Sequence, residues 1–209
     1  MTALLLAALL AGPVGDAEAV LASLEEAGRD LTTMQASFVE TRVLVLLEES
    51  TQQEGMVFLQ VPGRFRWDYS APQPSVTLIK DGAFARYFPR TKQVFRGAAK
   101  GEADLLVGFG PGAANLGKKY SVELLPDESI DGRATHVLEL TPRAEQASSG
   151  LFSSIRIWVD QARFIPIQTR LTEPTGDHTT VRFQDVEVNG RLLKGAFDLD
   201  LPRDVVEVE

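Results

Sequence analysis

Turn dipeptides punctuate this chain at hairpin intervals: Pro62-Gly63, Asp81-Gly82, Asp131-Gly132, Thr175-Gly176-Asp177 and Asn189-Gly190. Glycine adopts positive φ freely and Asn or Asp come next, so such pairs reverse a chain between two strands. The stretches between them are short and rich in Val, Ile, Phe and Thr, the composition of strands. The spacing predicts an antiparallel meander with strands near 38–47, 54–61, 64–70, 75–80, 83–89, 92–96, 118–125, 134–141, 152–159, 164–172, 178–188 and 196–201. Helices do not alternate with strands, which disfavours parallel βαβ units and points to an α+β, mainly β fold.

Two segments break the meander. From Ala19 to about Glu40, Val20, Leu21, Leu24, Leu31, Met34 and Phe38 fall near the 3.6-residue period, which predicts an amphipathic helix. In "GEADLLVGFGPGAANLG" (101–117), Leu105, Leu106 and Phe109 precede a Gly- and Pro-rich exit, which predicts a short helix over 102–110. Farther on, Val181 and Phe183 are odd-numbered while Val186 and Val188 are even, the phase slip that one extra residue in a β-bulge produces. Bulges bend sheets. The expected architecture is a strongly curved antiparallel sheet, an unclosed barrel whose concave face is covered by a helical lid.

The chain has 209 residues, 44% of them apolar, enough for one sizeable core, and we expect a single domain over 19–209. Its net charge of −8 argues against nucleic acid and against adhesion to anionic lipid. With no cysteine, disulfides, thiolate metal sites and cysteine nucleophiles are excluded. The opening "MTALLLAALLAGPVGDAEA" has an apolar run from Ala3 to Ala11, a Gly-Pro break and an A-x-A arrangement at Ala17 and Ala19. Although it lacks a basic residue before the apolar run, it reads as a secretory leader over 1–18. No later segment is long and apolar enough to span a bilayer, so a soluble protein outside the cytoplasm is expected.

Chemistry-bearing constellations do not emerge. His136 and His178 have no ligand partners at metal spacing, and no G-x-S-x-G elbow occurs. "GFGPG" (108–112) fits neither a dinucleotide nor a phosphate loop and reads as a helix stop. Glu48-Glu49 and the Asp198, Asp200 pair read as a polar turn and a solvated sheet face. We therefore expect no catalytic residues, no metal, no cofactor and no enzyme activity.

The most distinctive stretch is "PGRFRWDYSAPQP" (62–74), which sets Phe65, Trp67 and Tyr69 on alternate positions with Arg64, Arg66 and Asp68 between them. On a strand the three rings share one face and the charges take the other. Periodicity alone leaves open whether such a wall is ordinary core or the lining of a cavity.

The order of motifs resembles the outer-membrane lipoprotein carrier family, the LolA-like proteins. The likeness runs through "MQASFVETR" (34–42), "GMVFLQVPGRFRWDYSAPQP" (55–74), "LIKDGAFARYFPRTKQV" (78–94), "TTVRFQDVEVNGRL" (179–192) and "FDLDLP" (197–202). The resemblance implies a periplasmic carrier that shelters the acyl chains of lipoproteins, and it works as a monomer. Such a carrier takes its cargo from an inner-membrane ABC-type, ATP-driven release complex and gives it to an outer-membrane lipoprotein acceptor. It also implies that Val57, Leu59, Val61, Phe65, Trp67 and Tyr69, with Phe38, line the trough, while Leu24, Leu31, Leu105, Leu106 and Phe109 form the underside of the lid. Many members carry an arginine before the proline that precedes the aromatic strand, associated with lid closure and hand-over; here that position is Val61. The alternatives are a carrier of another lipid, or a lipoprotein-sensing module of envelope-stress signalling. Sensors of that kind generally add a C-terminal domain, for which a chain ending at Glu209 leaves no room.

Overall fold

A computed structural model describes residues 14–99, 108–114, 116–143 and 152–208. Helix α1 (Val14–Arg29) leads into strands β1 (Thr33–Leu44), β2 (Glu49–Gln60), β3 (Arg64–Ala71), β4 (Ser75–Lys80), β5 (Ala83–Phe88) and β6 (Gln93–Ala98). A 3₁₀ turn at Gly110–Gly112 and the one-turn helix α2 (Leu116–Lys119) precede β7 (Tyr120–Ile130), β8 (Arg133–Pro142), β9 (Ser154–Asp160), β10 (Pro166–Thr172) and β11 (His178–Val188). A short β12 (Val206–Val208) closes the described chain. All the strands form one open sheet in the order β12-β6-β5-β4-β3-β2-β1-β11-β10-β9-β8-β7.

Neighbouring strands pair antiparallel except β12, which runs parallel to β6. The turn chemistry works as expected at two tight hairpins. Asp81-Gly82 and Asp131-Gly132 have positive φ at both residues, and they link the pairs Lys80 with Ala83 and Ile130 with Arg133. That is the twist a two-residue hairpin requires. The expected bulge is also present. Gln35 pairs Glu187 and Ser37 pairs Gln184, so three residue steps on β11 face two on β1, with Asp185 at φ +50°.

Three expectations are corrected. The first helix ends at Arg29, not near Glu40, and β1 begins at Thr33 rather than 38. Met34, Ala36 and Phe38 are buried and alternate with Gln35 and Ser37, so a period of two overrides the helical reading once the β-branched Thr32-Thr33 pair is reached. The segment 196–201 is not a strand: a turn over 194–197 runs on into irregular chain through 201. Asn189 does not close a hairpin; its side-chain oxygen accepts from Thr32 N at 2.8 Å and Thr32 Oγ1 at 3.0 Å, pinning the end of β11 to the entry of β1. Most of the helix expected over 102–110 lies outside the described residues, and the described end of that region is the Gly110–Gly112 turn.

Curvature is legible in side-chain distances. Strands β3 and β11 stand three places apart, about 14 Å in a flat sheet. Yet the Trp67 and Phe183 ring centroids are 6.1 Å apart, which requires the sheet to curl toward that face. The concave side holds the main core: Met34, Ala36 and Phe38 of β1, Val57 and Leu59 of β2, Phe65 and Trp67 of β3, and Val181, Phe183 and Val186 of β11. Helix α1 covers the other half of it, where Val20 and Leu24 pack with Leu138, Leu140, Ile155 and Ile157. On the convex side, Phe197 packs on Phe58 and Leu78, so the segment after β11 straps across the outer face.

Candidate functional site

The three rings of β3 do share one face, and their neighbours are set by register. Val57 pairs Trp67, Leu59 pairs Phe65, and Gly55 lies between Phe38 and Tyr69. Trp67 therefore sits in a cluster of rings, with centroids 4.6 Å from Phe38, 5.7 Å from Phe65 and 6.2 Å from Tyr69. Glycine at 55 is a packing requirement: a Cβ there would lie 1.8 Å from the Asp68 carbonyl oxygen and 3.0 Å from Phe38 Cε1. Arg64 and Arg66 take the opposite face, as alternation demands. Arg66 donates to Ala196 O at 3.2 Å and Asp198 O at 2.7 Å, and its partner Asp68 accepts at 2.7 Å. Those contacts tie down the outer strap.

The segment 108–113 crosses the concave side. A methyl at Gly108 would meet Pro166 Cγ at 2.9 Å, while one at Gly110 would meet Val61 Cγ2 at 3.4 Å and Leu31 Cδ2 at 3.5 Å. It therefore reaches from β10 to the end of β2. Gly28 of α1 presses on it so closely that a Cβ would lie 2.8 Å from Ala113 Cβ. Phe109 points into the wall, edge-on to Phe183 at 5.0 Å.

Leu31, Phe38, Val57, Leu59, Phe65, Trp67 and Phe109 are thus buried together, with Val61 and Tyr69 packed against them. Leu24 is buried in the separate cluster beneath α1. Leu105 and Leu106 lie outside the described residues. Sequence reasoning missed Glu40 and Phe183. Glu40 follows Met34, Ala36 and Phe38 in the even-numbered phase of β1, so the alternation itself pointed to it once the strand start was set correctly. Phe183 stood in the bulge motif but was not joined to the wall.

Glu40 is the one acidic side chain drawn into this wall among the residues named. Its Oε2 accepts from the Tyr69 hydroxyl at 2.8 Å. Burial raises the Glu40 pKa above the ordinary carboxylate range, opposed by the Tyr69 hydrogen bond and by the Arg42 and Arg86 charges. Burial, then the Glu40 charge and hydrogen bond, push the Tyr69 hydroxyl far up. The buried Trp67 Nε1–H lies near enough to the Tyr69 oxygen to pull the other way, but without hydrogen-bond geometry.

The remaining titratable candidates carry no site. His136 Nδ1 lies 3.1 Å from Asp127 Oδ1, and His178 Nδ1 lies 3.3 Å from the Gly176 carbonyl. Asp198, expected on a solvated strand, instead lies in the outer strap, where it meets Lys80 Nζ at 3.2 Å. Among the described residues no group of His, Asp or Glu is placed to hold a metal ion, and no helix is long and apolar enough to cross a membrane.

A curled, open antiparallel sheet with a carbon-lined concave side and a helix laid over it defines the LolA-like half-barrel. An uncharacterized conserved protein from Thermus thermophilus shares this fold with TM-score 0.60 at 14% identity, over 92% of this chain and 98% of that one. The Mycobacterium tuberculosis lipoprotein LppX does so with TM-score 0.55 at 15% identity, over 84% and 98%. MucB in the Pseudomonas aeruginosa MucA/MucB complex gives 0.54 at 19% identity, over 88% of this chain and 61% of that one.

The family profile described as outer membrane lipoprotein carrier protein LolA matches residues 29–200, and the chain belongs to that family. It is 28% identical over 194 residues to an outer-membrane lipoprotein carrier protein of Chromohalobacter salexigens, covering 90% of this chain and 84% of that relative. A protein of the same description from Neisseria gonorrhoeae is 27% identical over 187 residues, covering 88% and 84%.

Proposed function

We propose that this chain is a periplasmic carrier that holds the acyl chains of lipoproteins against its concave face and ferries them from the inner to the outer membrane. Residues 1–18 serve as the export leader and 19–209 as the working domain. The observation that carries this reading is the closure of an apolar wall by a crossing segment. Phe38, Val57, Leu59, Phe65 and Trp67 are covered by Leu31 and Phe109 rather than by a second sheet. Cargo would part Phe109 from Phe183 and lie where that segment now packs, with Leu24, Val61 and Tyr69 at its margins.

Magnitudes explain why such a carrier needs both a lid and an acceptor. At about 0.8 kcal/mol per methylene, burying one chain of some fourteen carbons is worth on the order of 10 kcal/mol. Escape into water is then slow, and release requires an apolar destination. The empty protein reburies the same wall beneath its own lid, and the difference between those states sets the affinity. An inner-membrane ABC-type complex as donor and an outer-membrane lipoprotein receptor as acceptor complete the cycle. Val61 makes apolar contact with the lid where an arginine is common in the family, so closure here relies on carbon packing.

Native mass spectrometry of the protein purified from its own envelope tests the proposal. Co-purifying lipoprotein supports it, and a free glycolipid or phospholipid in its place points to a divergent carrier. A second reading, a regulatory module that binds a protein partner, is favoured by the fold shared with MucB in its complex with MucA. A tight protein partner without lipid would support that one.

A further inference from the structure

The concave wall is not uniformly apolar along its length. Strands β1 and β3 run in the same direction, both antiparallel to β2, so their chain order maps onto one axis. At the end where β1 starts lie Leu31, Met34, Leu59, Phe65 and Phe109, all carbon at their tips. One side-chain step along, the wall reaches Ala36 and Trp67, the next step brings Phe38 and Tyr69, and Glu40 stands one step farther, joined to Tyr69 by a 2.8 Å hydrogen bond.

At that boundary Trp67 is 4% exposed, and its Nε1–H has no hydrogen-bond acceptor among the described residues. A buried donor without an acceptor is costly, and native interiors seldom leave one unless something else supplies the partner. The other indole behaves differently: Trp158 Nε1 donates to Glu128 Oε2 at 2.8 Å. Among the described residues the nearby oxygen is the Tyr69 hydroxyl, which keeps its lone pairs while donating to Glu40 but does not meet the indole in hydrogen-bond geometry.

Resting on the carrier reading, we propose that Trp67 Nε1–H receives the ester or amide carbonyl oxygen at the head end of a bound acyl chain. The chain's methyl end then points toward Leu31, Phe65 and Phe109. A carbonyl oxygen is an acceptor only, it sits where hydrocarbon gives way to polar head, and it carries no charge. The neighbouring Glu40 carboxyl selects for that neutrality. A free fatty-acid carboxylate would bring a second negative charge beside it, and like charges in a poorly solvated site repel strongly. The Arg42 and Arg86 charges reach Glu40, but they already offset its own charge, and Arg42 is shared with Glu173 at 3.4 Å while the Arg86 guanidinium lies 5.1 Å over the Phe88 ring. The site therefore takes acyl esters and amides and rejects free fatty acids.

Two tryptophans make a direct test possible. In the full chain carrying Trp158→Phe, with folding checked by circular dichroism, Trp67 is the sole indole fluorophore. Methyl 2-bromohexadecanoate and methyl 16-bromohexadecanoate then report depth, since bromine quenches on contact. The 2-bromo ester should quench Trp67 at least about threefold more strongly than the 16-bromo ester. Stronger quenching by the 16-bromo ester would overturn the orientation. Binding of both esters, seen as mass shifts, without quenching by either would overturn the Trp67 site and leave the carrier reading standing. Failure of both esters to bind would remove the carrier reading itself, and this site with it.

Selectivity is tested with unbrominated probes. Methyl hexadecanoate should bind about tenfold more tightly than hexadecanoate at pH 8, and Glu40→Gln should shrink that preference. Trp67→Phe should weaken the ester about fivefold, the worth of one hydrogen bond, with little effect on an alkyl probe that lacks a carbonyl. An equal loss for both probes would mean that Trp67 contributes only its ring.

Discussion

The Phe38 and Tyr69 rings meet edge to face across Gly55, with centroids 5.2 Å apart and planes at 85°. Two strands that are not neighbours are thereby joined through the side chain that β2 lacks. Gly55→Ala should lower stability by about 3 kcal/mol, because the added methyl strikes the Asp68 carbonyl and the Phe38 ring together. Urea denaturation checks this; a loss below about 0.5 kcal/mol would show that β2 shifts freely at this point.

Glu40 gives the wall a pH dependence. Its folded pKa is raised, so between the unfolded value near 4.5 and the folded one the native state binds more protons than the unfolded chain. Its contribution is therefore fully present below about pH 4.5 and lost as pH rises through the folded pKa. Glu40→Gln should flatten that loss, and its advantage over the parent protein should grow from pH 4 to pH 7. Denaturation midpoints of the two proteins across that range decide the matter, and an advantage that shrinks with pH would reverse the sign.

Phe109→Ala removes the ring that seats the crossing segment on Phe183. Stability should fall by about 2–4 kcal/mol, and a hydrophobic dye should bind more strongly as the wall is uncovered. Lost stability without added dye binding would mean that the segment closes over the gap.

The outer strap offers a control on the opposite face. Arg66→Met deletes the donor to two carbonyls and should cost about 2 kcal/mol. Hydrogen exchange over 192–199 should quicken, while lipid binding is unchanged. Altered lipid binding would show that the two faces communicate.

Much of this architecture was legible because turn chemistry is local. Asp-Gly pairs fix positive φ wherever they fall, and the odd-to-even slip between Phe183 and Val186 betrayed the bulge without any tertiary information. The end of α1 was not legible, because Leu31, Met34 and Phe38 satisfy a helical period and a strand's alternation almost equally well. Only pairing with β2 and β11 decides between them. The final strand was misplaced for a related reason. Phe197, Leu199 and Leu201 alternate like a strand, yet Phe197 and Leu199 pack over Phe58 and Leu78 as a strap, and pairing passes to Val206–Val208. Glu40 stayed hidden because an acidic residue in a strand reads as solvent-facing, and its burial depends on Tyr69 arriving from two strands away.

The most direct test of the account is to map where an acyl chain lies, using a synthetic triacylated lipopeptide with a diazirine in its acyl chains. After photolysis and peptide mapping, adducts are expected on concave residues such as Val57, Leu59, Phe65, Trp67 and Phe183. Adducts confined to Phe58, Leu78 and Phe197 on the convex face, with the concave wall unlabelled, would contradict it.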